Sequence, residues 1–224
     1  MTQFPIDLQA VLFDADGVII RSLETHLRAW KAIFTELGLE LDETDILLRE
    51  GESAPSTFKT LTAKNGLQFS DREVKEWVEK KRTLYRSLET VEVYPEVYPL
   101  LELLRRQVKK IGLVTGSSIV NLQHVLSDSD LALFDVIFTA EDYERGKPDP
   151  EPYSKGLAAL GVKQAKALVI ENAPLGICAA TSAGIYCIAL ATTLPEKELQ
   201  AADLILGGHV ELHEFLEKSF GGNK

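Results

Sequence analysis

From Val91 onward, short apolar runs alternate with segments of helical period, and this alternation limits the fold more than any other feature of the chain. Strands are predicted at 111–115, 135–139, 167–170 and 186–189, with a short last one at 203–205. Helices are predicted at 96–108, 119–127, 150–160, 174–183 and 210–219. Repeated strand–helix units give a parallel sheet with helices on both faces. In such a sheet a ligand crevice lies outside the carboxyl ends of the strands. The apolar run Ala10-Val11-Leu12-Phe13 suits a further strand buried in that sheet.

Between that first strand and Val91 the pattern is wholly helical. Leu23, Leu27, Trp30, Ile33, Phe34 and Leu37 recur at three- and four-residue spacing, and Gly38 stands where a helix stop belongs. Further helices are predicted at 43–49, 53–65 and 70–88, the last with Ser70 and Glu73 at capping-box spacing. The block 22–89 therefore interrupts a strand–helix domain made of 1–21 and 90–224, with hinges expected near 20–23 and 90–94. The tail 221–224 is expected to fray.

A chain of 224 residues can bury a sizeable core. Its formal charge of −10 argues against nucleic acid or an anionic membrane as a partner. A small phosphorylated molecule stays open, because a bound divalent cation reverses the local field. No apolar stretch approaches the roughly 18 residues that span a bilayer, and the first residues lack a signal pattern. The expected setting is the cytoplasm, with the chain a monomer or a weak homo-oligomer. Cys178 and Cys187 are expected to be small buried hydrophobes rather than a disulfide.

The chemistry is concentrated where predicted strands end. Ala10–Phe13 stops at Asp14-Ala15-Asp16-Gly17. A glycine turn can bring both carboxylates to one side, which suits a hard cation and a phosphate, or a nucleophile beside a general acid/base; a plain Asx turn would also explain them. The strand at 111–115 runs into Thr115, Gly116, Ser117 and Ser118 before a helix. That is an anion cradle or a simple helix cap. Lys147 sits between Gly146 and Pro148, in a stiff loop that would fix a positive charge. The strand at 167–170 ends in Glu171 and Asn172, two oxygen donors for a cation, although Asn172 could serve only to cap the helix that Pro174 opens.

Taken in order, Asp-x-Asp, Thr, Lys and Glu-Asn at successive strand ends resemble the haloacid dehalogenase-like superfamily over essentially the whole chain. The likeness is to members with a helical cap after the first strand, the group that includes β-phosphoglucomutase and sugar-phosphate phosphatases. It implies an α/β fold, a Rossmann-like parallel sheet with an inserted α-helical cap domain. By that resemblance Asp14 is the nucleophile, Asp16 the general acid/base, Thr115 a partner of the phosphoryl oxygens, and Lys147 the charge that neutralises nucleophile and phosphoryl group. Mg2+ would be held by Asp14, the main-chain carbonyl of Asp16, Glu171 and Asn172. Gly116, Ser117, His26, Trp30 and Arg49 would face the substrate, a small phosphorylated metabolite. Trp30 also lies on an apolar stripe where core packing would account for it, and His26 on a helix surface.

The chain departs from the family pattern in three places. Asn172 stands where the family usually has an acid. The cap loop reads Arg49-Glu50-Gly51-Glu52-Ser53-Ala54, without the lysine before and the arginine after its glycine that grip a second phosphate in a mutase. Ser118 and Ile119 replace further phosphate-holding residues behind Thr115. These losses point to a phosphatase, with a β-phosphoglucomutase-type mutase as the alternative. Asp16 and the Glu171-Asn172 pair argue against a dehalogenase. The length and the helical block argue against a phosphoryl-accepting receiver, and the presence of Asp14, Asp16 and Lys147 together argues against an inactive binding module.

Overall fold

In the computed structural model, which describes residues 3–88, 91–108 and 110–221, the alternation forms one parallel sheet. The chain opens with β1 (Ala10–Phe13) and β2 (Ile20–Arg21), then the helices α1 (Leu23–Glu36), α2 (Glu43–Leu47), α3 (Ala54–Lys64) and α4 (Asp71–Ser87). It returns through β3 (Glu92–Val93) to α5 (Val97–Gln107), β4 (Lys110–Val114), α6 (Ile119–Val125), α7 (Asp128–Leu131) and β5 (Val136–Phe138). The last part comprises α8 (Glu151–Leu160), β6 (Ala167–Glu171), α9 (Pro174–Ser182), β7 (Tyr186–Leu190), β8 (Leu204–Leu206) and α10 (His209–Gly221).

The six-stranded sheet has the order β5-β4-β1-β6-β7-β8 and every neighbouring pair is parallel. Because successive side chains of a strand point to opposite faces, β1 feeds two cores. Val11 and Phe13 pack with Leu100 and Leu104 of α5 and Leu212 and Leu216 of α10. Ala10 and Leu12 pack with Tyr153 and Leu157 of α8 and Ile177 of α9. Helices therefore cover both faces, and β1 is fully buried in the middle. Phe13 lies opposite Leu113 on one side and Ile170 on the other. That register brings Asp14, Thr115 and Glu171 to the same rim, at the point where the strand order reverses.

Helices α1 to α4 have an apolar core of their own, built from Trp30, Ile33, Phe34, Ile46, Phe58, Leu61, Val74 and Val78. Ser70 caps α4 with the reciprocal Glu73 capping box. Where the chain leaves and re-enters the sheet domain, β2 and β3 pair as a two-stranded antiparallel ribbon. Strands of two residues are too short for a period to be visible in sequence. The helix expected over 119–127 breaks after Val125, because Ser127 caps a new short helix through a second capping box with Asp130. Of the cysteines expected in the core, Cys187 is buried, but Cys178 is exposed and both are unpaired. Thr90, at the expected hinge and domain boundary, and the tail residues 222–224 lie outside the described residues, while Gly221 still belongs to α10. Among the described residues no helix is long and apolar enough to cross a membrane.

Candidate active site

Lys147 joins the strand ends. Its buried ammonium donates to Asp14 Oδ1 at 2.6 Å, to Glu171 Oε1 at 2.7 Å and to the Val114 carbonyl at 3.2 Å. Three acceptors fill the three donors of an ammonium, and the Tyr153 ring lies 4.8 Å from it. Burial disfavours a charged lysine, but Asp14 and Glu171 more than offset this and raise its pKa above the usual range. Burial pushes Asp14 up to about 8; the charge of Lys147 opposes that rise, and Glu171 and Asp16 add to it. Tyr143 OH donates to the Thr115 carbonyl at 2.8 Å, and the Ser117 N–H donates to Thr115 Oγ1 at 3.0 Å. Thr115 is thereby fixed with its own O–H left to donate.

Both oxygens of Glu171 are engaged by protein donors. Its Oε1 accepts from Lys147 and from Tyr153 OH, the latter at 2.7 Å. Its Oε2 accepts from the Asn172 and Ala173 N–H groups at 2.9 and 3.1 Å. These four hydrogen bonds fix the carboxylate and let Glu171 orient Lys147. Asn172 is the reverse case. Its Nδ2 donates to Thr193 Oγ1 at 3.1 Å and to Glu50 Oε2 at 3.3 Å, while its buried Oδ1 has no partner among the described residues. The amide lies directly over Gly17, where φ is +83° and a Cβ would come within 2.2 Å of Nδ2. Among the described residues no three His, Cys, Asp or Glu side chains are grouped to hold a metal ion. An oxygen site here needs the Asn172 amide and main-chain carbonyls.

The Asp16 carboxylate turns away from this cluster toward the helical block. Oδ1 accepts from Ser22 Oγ at 2.5 Å and from His26 Nε2 at 3.3 Å, and Oδ2 accepts from Ser117 Oγ at 2.6 Å. Burial opposes ionisation of Asp16, but His26 and these hydrogen bonds outweigh it and hold the group well below the usual carboxylate range. Lys81 Nζ lies 2.5 Å from His26 Nδ1. When Lys81 carries its proton it can only donate to Nδ1, and the proton of the neutral imidazole is then on Nε2, facing Asp16. His26 stacks on Tyr85 with ring centroids 4.3 Å apart. Lys81 lies 5.0 Å from the Trp30 ring centroid and 5.2 Å from that of Tyr85. Burial, with Arg82 adding to it against the pull of Asp16 and Glu50, lowers the Lys81 pKa to about 7.

A cavity of about 70 Å³ lies between the helical block and the strand ends, lined by Asp16, His26, Trp30, Arg49, Glu50 and Ser117 among others. Trp30 reaches it only with an edge, since it is 5% exposed and stacks on Phe34 as core. Arg49 lies 3.6 Å from Glu52 Oε2. Gly116 is pressed against the loop above it, and a Cβ there would lie 2.6 Å from the Gly51 carbonyl oxygen. The expected residues thus form two groups: Asp14, Thr115, Lys147, Glu171 and Asn172 on the rim, and Asp16, Ser117, His26, Trp30 and Arg49 around the cavity. Sequence reasoning missed Ser22, Lys81, Tyr143 and Tyr153. Only Lys81 carried a signal, since it follows Val74 and Val78 on the buried stripe of α4 where an apolar residue belongs.

Several known proteins are similar to this chain over most of its length. A validoxylamine A 7'-phosphate phosphatase of Streptomyces hygroscopicus subsp. limoneus is 35% identical over 202 residues, covering 88% of this chain and 92% of the relative. A pyrophosphatase of Bacillus cereus (strain AH820) is 30% identical over 195 residues, covering 84% and 85%. The crystal structure of β-phosphoglucomutase from Clostridium difficile superposes with a TM-score of 0.83 at 26% identity, covering 96% of this chain and 98% of that one. The family profile of haloacid dehalogenase-like hydrolases matches residues 11–190, which contain the strand-end cluster and the helical block. The chain therefore belongs to the haloacid dehalogenase-like hydrolase family and is a phosphatase-type hydrolase.

Proposed function

We propose that this enzyme is a Mg2+-dependent phosphatase of a small phosphorylated metabolite, such as a sugar phosphate, working through an aspartyl-phosphate on Asp14. The observation that carries the reading is the buried Asp14–Lys147 contact of 2.6 Å at the strand rim, with Asp16 two residues on and held from the opposite side. An Asp14 oxygen attacks phosphorus, the P–O ester bond breaks, and Asp16 gives its proton to the departing alkoxide. A phosphoryl group beside Asp16 adds negative charge and favours the protonated form this step needs. Water then attacks the phosphorus, Asp16 takes its proton, and phosphate leaves with Asp14 restored. Lys147 and the Thr115 O–H stabilise charge on the phosphoryl oxygens throughout.

The residues fit a hard cation, because the unpartnered Asn172 Oδ1 is a buried oxygen lacking a donor. Asp14, the main-chain carbonyl of Asp16, Glu171 and Asn172 would hold Mg2+, which supplies positive charge against the repulsion between carboxylate and phosphate. The helical block acts as a cap. Its cavity has room for only roughly five waters, so a metabolite enters with the cap open and reacts with it closed. The loop over the site offers Glu50 and Glu52 beside the single cation Arg49 for a second phosphate, which favours hydrolysis over the mutase alternative.

The test is a panel of phosphorylated metabolites that includes β-glucose 1-phosphate, assayed with and without Mg2+ for both free phosphate and glucose 6-phosphate. Mg2+-dependent phosphate release, abolished in a folded Asp14→Asn variant, is the expected result. Glucose 6-phosphate forming without phosphate release would make the enzyme a mutase.

A further inference from the structure

The cavity between cap and core has two unlike polar sides. The loop at 49–52 brings carboxylates to it, whereas α4 and α6 bring donors through Arg82 and Asn121. We propose that Arg82 and Asn121 bind an oxyanion on the leaving group, so that the preferred substrates are compact phosphate esters or anhydrides whose departing part carries a carboxylate or a phosphate. This rests on the phosphatase reading and gives it a substrate class.

Arg82 and Arg86 stand four residues apart on one side of α4, and both are half-buried. Arg86 Nη1 crosses the cap boundary to donate to Asn121 Oδ1 at 3.2 Å. Asn121 is itself buried, and its main-chain N–H donates to Ser118 Oγ at the start of α6 at 3.4 Å. With Oδ1 taken, the amide is oriented, and its Nδ2 has no partner among the described residues. Arg82 lines the same cavity; its Nη1 donates to the exposed Glu79 at 2.6 Å, which leaves its other N–H groups unused. The remaining cavity cations are answered within the protein, Arg49 by Glu52 at 3.6 Å and Lys81 by His26. A planar guanidinium beside an amide NH2 suits the oxygens of a carboxylate or a phosphate. Glu50 and Glu52 repel such a group from the loop side, so the charges together fix which way round the leaving group lies. Size agrees, since about 70 Å³, or roughly five waters, is the bulk of a phosphate or a short acid.

The experiment measures phosphate release from two matched pairs, 2-phosphoglycolate against ethyl phosphate and pyrophosphate against methyl phosphate. Native protein is compared with Arg82→Met, Arg82→Lys and Arg86→Gln, each checked for fold by circular dichroism. Native protein should prefer the oxyanion member in kcat/KM, and a preference within one pair alone supports the proposal and names the oxyanion. Arg82→Met should lower that preference by about 10–100-fold, chiefly by raising KM for the oxyanion substrate. Arg82→Lys should keep more of it, because the charge remains, and Arg86→Gln should lose a smaller part, because Asn121 is then free to turn. The charge of Arg82 is also felt at Lys81, an influence common to every substrate, so the preference rather than the rate is the readout. An unchanged preference in Arg82→Met, or equal losses on both members of a pair, would overturn the proposal and leave the Mg2+ phosphatase standing. Release from the wider metabolite panel but from neither pair would do the same. If native protein with Mg2+ releases phosphate from neither the pairs nor the panel, both readings fall.

Discussion

Two polar clusters meet at the strand ends, and they are built on opposite plans. The rim cluster hangs on residues that leave strands or a proline-stiffened loop, Asp14, Lys147 and Glu171, with the Tyr153 hydroxyl added from α8; all are buried, and Lys147 and Glu171 link them by hydrogen bonds. The cap-side cluster is assembled from long side chains on α1 and α4, with Lys81 reaching His26 and His26 reaching Asp16 across the boundary. The first is part of the sheet domain's own stability. The second bridges the sheet domain and the helical block, so on the proposed cap motion it would form only with the cap down. A single Asp-x-Asp turn therefore places one carboxylate in a cluster internal to the sheet domain and the other in a cluster shared with the helical block, permanent and conditional respectively on the proposed motion.

Breaking the permanent cluster should have the largest effect. Lys147→Met leaves Asp14 and Glu171 buried without their shared cation, and removing one partner of such a group costs about 3–5 kcal/mol. Urea unfolding should show that loss, and phosphate release should fall by about 10³-fold, as for a lost electrostatic stabiliser. A stable Lys147→Met enzyme would mean that the rim is held by its strands alone.

The conditional cluster should respond differently. His26→Ala removes the Nε2–H that faces Asp16 and the relay to Lys81, while Ser22 and Ser117 still hold the carboxylate. Activity should drop by about 10–100-fold through misplacement of the acid/base, with kcat falling more than KM rises. Stability should change little, because the imidazole belongs to the cap boundary rather than to either core of the sheet. A loss of stability as large as that of Lys147→Met would abolish the distinction between the clusters.

How much of this was legible follows the same division. The rim was readable because each apolar run stops at a polar residue, and parallel topology alone brings successive strand ends to one edge. The α/β sheet with helices on both faces came from the same alternation. What could not be read was pairing: Asp14 and Lys147 are 133 residues apart, and nothing local says that Glu171 meets Lys147 and Tyr153. The cap-side contacts were less visible still, because they depend on how helices are rotated about their axes. His26 and Trp30 were found by resemblance, whereas Lys81 was missed although it stands as a charge on the apolar stripe of α4. Cys178 shows the limit of the periodic argument, since α9 is too uniformly apolar in sequence to show which side faces water.

The smallest effect separates the clusters most finely. Lys81 is 3% exposed, and its pKa of about 7 in the folded protein lies well below the lysine range that the unfolded chain keeps. Below pH 7 both states are protonated, and the folded protein bears the full cost of a buried ammonium. Between pH 7 and about 10 the unfolded chain holds more protons than the folded one, so this group makes stability rise with pH by up to about 1 kcal/mol per unit. Lys81→Met, which keeps the packing against Trp30 and Tyr85, should therefore be more stable than native at pH 6 and lose that advantage by pH 9. Urea unfolding of both proteins at pH 6, 7.5 and 9 measures it. Lys147 should add nothing to this slope, because its carboxylate partners raise its pKa instead of lowering it. Parallel native and Lys81→Met stability profiles would mean that Lys81 keeps its proton through this range, and that the cap-side cluster is as permanently charged as the rim.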